Sequence, residues 1–226
     1  MAQVLNDIDR RVLGVLLEKS LGQPSYYPMT LNATLAACNQ KQNRDPVMEL
    51  DDCMVAEALG GLQDRGLVSL VLPTPGGRAN RYRHEAEPRL GWQKGEQAVM
   101  AELLLRGPQT VGELRSRCSR LVPFEDTGAV STVLDGLAQR DPPVVTAMPR
   151  SPGQSAIRYR HLLYPDGRQP GVAMPPVITS EVPSEQAPEE IGTLRVQMEN
   201  LQAEIGELHD SLADLHRRLS DLEKLL

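Results

Sequence analysis

The chain has 226 residues, 40% of them apolar and 24% charged, which is enough to bury a core and suits one or two domains. It holds no run near the roughly 18 apolar residues of a membrane span, and its start, through Arg10 and Arg11, lacks the apolar stretch of a secretory signal; a cytoplasmic protein with no membrane partner is expected. The net charge of −6 is uneven: ten Lys/Arg against eleven Asp/Glu in residues 1–90, ten against eight in 91–168, and four against eleven in 169–226, so the first 168 residues neither exclude nucleic acid nor recommend it.

In chain order, Ile8, Val12, Val15 and Leu16 mark an amphipathic helix from about Asp7 to Lys19, and Thr30 to Cys38 reads as a short second helix with Leu31 and Leu35 inward. Asp51 can cap a third, with Val55, Leu59 and Leu62 on one face and Gly66 ending it. The period then changes to two. Leu67 to Leu72 and Asn80 to His84 read as strands around a turn-forming Pro73-Thr74-Pro75-Gly76-Gly77 tip.

The same order then recurs. Arg81-Tyr82-Arg83-His84 returns 77 residues later as Arg158-Tyr159-Arg160-His161, and Leu59 to Arg65 returns 75 residues later as Leu134 to Arg140. In this second copy Gln97 to Arg106 is helix one, Thr110 and Glu113 form a capping box that opens helix two, and Asp126 opens helix three with Val130, Val133, Leu134 and Leu137 inward. Strands from Val144 to Met148 and Ile157 to His161 flank a tip with Pro152-Gly153. Three helices and a two-stranded wing describe a winged helix. The expected fold is mostly α with small β-hairpin wings (α+β): winged-helix modules over 1–90 and 91–168, then a C-terminal coiled coil.

The segment from Cys38 through Asn39, Gln40, Lys41, Gln42, Asn43, Arg44, Asp45, Pro46 and Val47 to Met48, with the stretch from Leu103 to Arg117, resembles the YceH family of uncharacterised bacterial proteins over residues 7–164. The resemblance implies tandem winged helices. It implies no activity.

Five prolines in 169–188 read as a semi-extended linker. Beyond it Ile191, Leu194, Met198, Leu201, Ile205, Leu208, Leu212, Leu215, Leu219, Leu222 and Leu226 alternate spacings of three and four over 189–226. Eleven such side chains, at about 1.5–3 kcal/mol each, need a cover. The simplest is the same helix from a second subunit, so a homo-oligomer is expected, with a dimer favoured over trimers or antiparallel pairs.

No zinc spacing, hydrolase elbow, Walker loop or dinucleotide glycine pattern occurs, and Cys38, Cys53 and Cys118 form no C-x-x-C pair; neither an enzyme, a cofactor nor a metal is expected. The leading functional reading is DNA association, in which Arg78, Arg81, Arg83, Arg150, Arg158 and Arg160 make basic wings while Arg115, Arg117 and Arg120 line helix two of the second module, with Arg106 just upstream. The alternative is a protein-interaction adaptor, because both third helices, acidic in the first copy and uncharged or acidic in the second, lack Lys and Arg up to their last turn. Asn39, Gln40, Lys41, Asn43 and Arg44 form a candidate interaction turn, whose plainer role is to satisfy helix two's exposed carbonyls.

Overall fold

Asn6 accepts a 2.8 Å hydrogen bond from the Asp9 N–H while the Asp9 carboxylate returns to the Asn6 N–H, and this reciprocal cap starts helix α1, Asp7–Gly22. The helix is buried on every side from Asp9 to Glu18. One amphipathic stripe cannot account for that. One flank packs on α2 (Leu31–Cys38) and α3 (Asp52–Asp64), and another packs, more extensively, on α5 (Lys94–Arg106), itself buried without interruption from Gln97 to Leu105. In this computed structural model, which describes residues 4–73, 79–150 and 156–164, both copies therefore contribute to one core.

The crossing of α1 and α5 is close at Gly14. A Cβ there would meet the Leu105 side chain at 3.0 Å and the Leu104 Cβ at 3.1 Å, so the glycine serves approach of the two helices, not a turn. Val12, Val15 and Leu16 of α1, and Ala98, Val99, Met100 and Leu103 of α5, are fully buried around the contact.

The fold is α+β, with small antiparallel sheets on the helical core, as the sequence indicates. Each sheet has three strands, however, where two are expected. The first has the order β1-β3-β2, from β1 (Met29–Thr30), β2 (Val68–Val71) and β3 (Arg81–His84); the second has the order β4-β6-β5, from β4 (Gln109–Thr110), β5 (Val145–Ala147) and β6 (Arg158–His161). The extra strands β1 and β4 have two residues each, too few for a period-two signal. Their last residues, Thr30 and Thr110, also cap the following helices α2 and α6 (Val111–Cys118), each hydroxyl accepting a 3.2 Å bond from the N–H three residues on.

Helix α3 is capped by Asp51 and ends before Gly66 at φ +68°, and α7 (Thr127–Ala138) is capped by Asp126, as expected. Helix α5 starts three residues before the expected Gln97 because Glu96 accepts from the Gln93 N–H at 2.8 Å. A short helix α4 (Ala86–Leu90), closed by Gly91 at φ +65°, joins the copies and is not anticipated. Tyr82 and Tyr159 pack on the core from the middle of the RYRH strands. The expected linker, coiled coil and both hairpin tips lie outside the described residues. Among those described, no helix is long and apolar enough to cross a membrane.

His84 and His161, the last residues of the RYRH strands, are both held neutral by burial. His84 shares a 2.8 Å hydrogen bond with the Ser20 hydroxyl, and burial lowers it to about 4. His161 accepts from the Leu163 N–H, stacks on Tyr164 at 4.7 Å, and is lowered to about 3 by burial and the nearby charges of Arg10 and Arg160. Their folded values lie below the unfolded value near 6.5, so unfolded chains take up protons first as pH falls and stability declines below about 6.5. Between pH 7 and 5 each histidine should remove up to about 2 kcal/mol of unfolding free energy, read from urea midpoints across that range. A flat midpoint would contradict the assignment.

Candidate functional site

The α1/α5 contact encloses two carboxylates, Glu18 from α1 and Glu102 from α5, with side chains 6% and 1% exposed. Bare charges so placed would be strongly unfavourable, so each must be matched. Arg120, just past α6, reaches both: one guanidinium nitrogen lies 2.7 Å from Glu18 Oε1 and 2.7 Å from Glu102 Oε1. Arg44 meets the other Glu18 oxygen at 2.7 Å, and Arg106 lies 3.1 Å from the other Glu102 oxygen. Burial alone would raise the Glu18 carboxyl, but the hydrogen bond from Arg44 and the charges of Arg44, Arg120 and Lys19 outweigh it and hold the group below the ordinary carboxylate range. Three arginines and two glutamates form one lattice. It joins the two copies.

The segment between α2 and α3 is the frame of this lattice. The Arg44 side chain is fully buried and donates to the carbonyl of Ala37 at 3.1 Å, to that of Asn43 at 2.8 Å and to the Gln40 side-chain oxygen at 3.1 Å. Asn39 pairs with the backbone of Leu50 in both directions, at 2.8 and 2.9 Å. Arg11 donates to the carbonyls of Cys38 and Pro46. The Asp45 N–H donates to the Leu105 carbonyl at 2.8 Å, and Asn43, at φ +61°, receives a hydrogen bond from Arg106. Asparagine tolerates that left-handed backbone better than most residues. These contacts satisfy the end of α2 and attach it to the second copy. Gln40 and Lys41 remain exposed.

The arginines of the expected wings and second helix make internal bonds in most cases. Arg81 donates to the Pro28 carbonyl at 2.8 Å and Arg158 to the Pro108 carbonyl at 2.7 Å, so the repeat reproduces a staple between the RYRH strand and the residue before β1 or β4. Arg83 bonds Ser69 and Glu85, and Arg160 is half-buried with its Nε unpartnered among the described residues. Arg117 donates to Gln109 at 2.6 Å, and Arg115 to the Glu125 carbonyl at 2.9 Å. Arg106 and Arg120 belong to the lattice, Arg120 with its side chain still 40% exposed. Arg150 is exposed; Arg78 and the eleven apolar positions from Ile191 to Leu226 lie outside the described residues.

The outer faces of α3 and α7 carry no cation. Asp52, Met54, Glu57 and Asp64 are exposed on α3, and Thr132, Asp135 and Gln139 on or just past α7. The arginines that follow are paired: Arg65, itself exposed, with Asp9 at 2.7 Å, and Arg140 with Glu96 at 2.8 Å. Cys38 and Cys118 end α2 and α6 fully buried, and burial raises both thiols to about 12, whereas Cys53 is exposed. No group of three His, Cys, Asp or Glu is placed to hold a metal among the described residues.

A family model described as "Protein of unknown function, DUF480" matches residues 5–154, which include both halves of the lattice. The chain belongs to the DUF480 family. It is 46% identical over 200 residues to a UPF0502 protein of Geobacter sulfurreducens, covering 88% of this chain and 85% of that one. UPF0502 proteins of Pelobacter propionicus and Geobacter metallireducens are 50% and 51% identical over 163 residues, 72% of this chain and 74% of each of theirs. These matches agree with the YceH-like resemblance. What sequence reasoning missed in this DUF480 chain is the role of Glu18 and Glu102, which look like ordinary helix-surface carboxylates until α1 and α5 are seen to face each other.

Arg44→Met should destabilise the chain by about 3 kcal/mol, because it leaves the Ala37 carbonyl without its donor and a Glu18 oxygen without its cation. Combined with Glu18→Gln, the loss in urea unfolding should fall short of the sum of the single losses by about 1–3 kcal/mol. Strict additivity would show that the two side chains act independently.

Proposed function

We propose that the chain is a non-catalytic cytoplasmic protein of two winged-helix modules that works as a protein-interaction adaptor. The observation that carries this reading is the engagement of its arginines: Arg83, Arg106, Arg117, Arg120 and Arg158 pair with the chain's own carboxylates, and the helices that would enter a groove present no cation. Carboxylates and small side chains on α3 and α7 suit protein surfaces better than a phosphate backbone. The leucine-rich C-terminal heptads support a homo-oligomer, a dimer first, which would present the modules in multiple copies.

DNA association is the second reading, and it is favoured by one observation: Arg81, Arg83, Arg115, Arg120 and Arg150 are exposed. The two readings separate by salt. An adaptor should show weak duplex binding with little dependence on ionic strength and should retain its partner from native lysate after nuclease treatment. DNA association should instead weaken about 10³- to 10⁵-fold between 50 and 200 mM salt if it uses six to ten phosphate contacts. It should also be lost when Arg81, Arg83, Arg158 and Arg160 become Glu in a variant shown by circular dichroism to stay folded. Steep salt dependence with that loss would replace the adaptor reading.

The oligomer is tested by light scattering on the whole chain against a form ending at Gly167. A mass per particle of at least twice the chain mass is expected for the whole chain alone; equal monomer masses would remove the oligomer.

A further inference from the structure

A groove of about 490 Å³ lies where the last turn of α1, the 3-10 turn Pro24–Tyr26, β1 and α2 meet, lined by Lys19, Tyr26, Met29, Ala33, Ala36 and Arg81 among others. Three features distinguish it. Tyr26 stands at its edge 76% exposed, the most exposed large apolar side chain among those described. The exposed face of α2 there is alanine, at Ala33 and Ala36, so a chain laid across it can approach the helix backbone closely. The lining holds two cations and no carboxylate, in a protein of net charge −6. Among the described residues Lys19 makes no ion pair, and the bond Arg81 makes is to the Pro28 carbonyl, so no carboxylate there compensates either charge.

We infer that this groove receives an acidic, extended peptide segment of a partner protein, with a carboxylate at Lys19 and Arg81 and an apolar side chain against Tyr26, Ala33 and Ala36. The inference rests on the adaptor reading and places its contact. Charge complementarity selects the carboxylate, and the alanine floor selects a narrow apolar side chain beside it. A duplex, with one phosphate charge for about every 1.7 Å of its axis, calls for a row of cations along a ridge, not two cations in a hollow. Strand β1, which also lines the groove, is the edge strand of its sheet, so a peptide meets main chain there as well as side chains.

The test uses the full chain and fluorescein-labelled ten-residue peptides that carry two fixed glutamates flanking a fixed leucine, beside a matched set with glutamine in place of glutamate. Fluorescence anisotropy should show binding of the glutamate set at least tenfold tighter than of the glutamine set. Lys19→Glu with Arg81→Glu should weaken it at least tenfold, and Tyr26→Ala at least threefold, while a twelve-residue oligo-dT should not displace the peptide. Should Arg81→Glu disturb the strand through its bond to Pro28, Lys19→Glu with Tyr26→Ala carries the test, since neither side chain makes a hydrogen bond among the described residues. Equal binding of the two sets, no binding, indifference to these variants, or displacement by oligo-dT would each overturn the inference. If a nuclease-resistant partner is captured equally by the wild type and by the Lys19→Glu, Tyr26→Ala variant, the adaptor reading stands and the groove is wrong. If no partner survives nuclease while the peptides still bind through Lys19 and Tyr26, the groove stands and the adaptor reading falls.

Discussion

Two carboxylates buried between α1 and α5 set the terms for everything around them. Burying Glu18 and Glu102 there is strongly unfavourable without cations beside them, and the cations arrive from three separate places in the chain: Arg44 before α3, Arg106 at the end of α5, and Arg120 after α6. Because Arg120 bonds one glutamate from each copy, the two copies are held at one angle and one distance. The close crossing at Gly14 then follows, as does the position of the segment from Cys38 to Met48, which has to bring Arg44 inward while its backbone meets Leu105. Apolar burial supplies attraction without direction; the ion pairs supply the register.

The repeat is therefore conserved in outline and broken where it matters. Thr30 and Thr110 close a strand and open a helix in the same way, Arg81 and Arg158 staple equivalent proline carbonyls, and Cys38 and Cys118 finish equivalent helices in the core. The second copy, however, has no counterpart to the Asn39–Arg44 turn. The two copies therefore reach each other by different routes, the Asp45 amide to the Leu105 carbonyl in one direction and Arg120 to Glu18 in the other.

Much of the architecture was legible in residue order. Helix faces such as Val55, Leu59 and Leu62, the caps at Asp51, Thr110 and Asp126, and the duplicated RYRH strands follow from local rules about periodicity and capping, and they are found where those rules place them. The family resemblance, read from the Cys38 to Met48 segment, agrees with the DUF480 match. What escaped were features with no local signature. A two-residue strand has no period, and α4 is barely longer than one turn. The burial of α1 on every side depends on a helix some ninety residues further on. The same non-local fact bears on Arg106 and Arg120, which read as surface cations until Asn43 and Glu18 of the first copy are seen beside them.

The double attachment of Arg120 also bears on how this architecture could be taken apart. Cutting the chain between α4 and α5 would not release two self-sufficient halves: the first would keep Glu18 with Arg44 yet bare the oily flank around Gly14, and the second would be left with Arg120 half-paired and the Leu105 carbonyl stripped of the Asp45 amide. A fusion or truncation of this chain has to carry both copies as a single block.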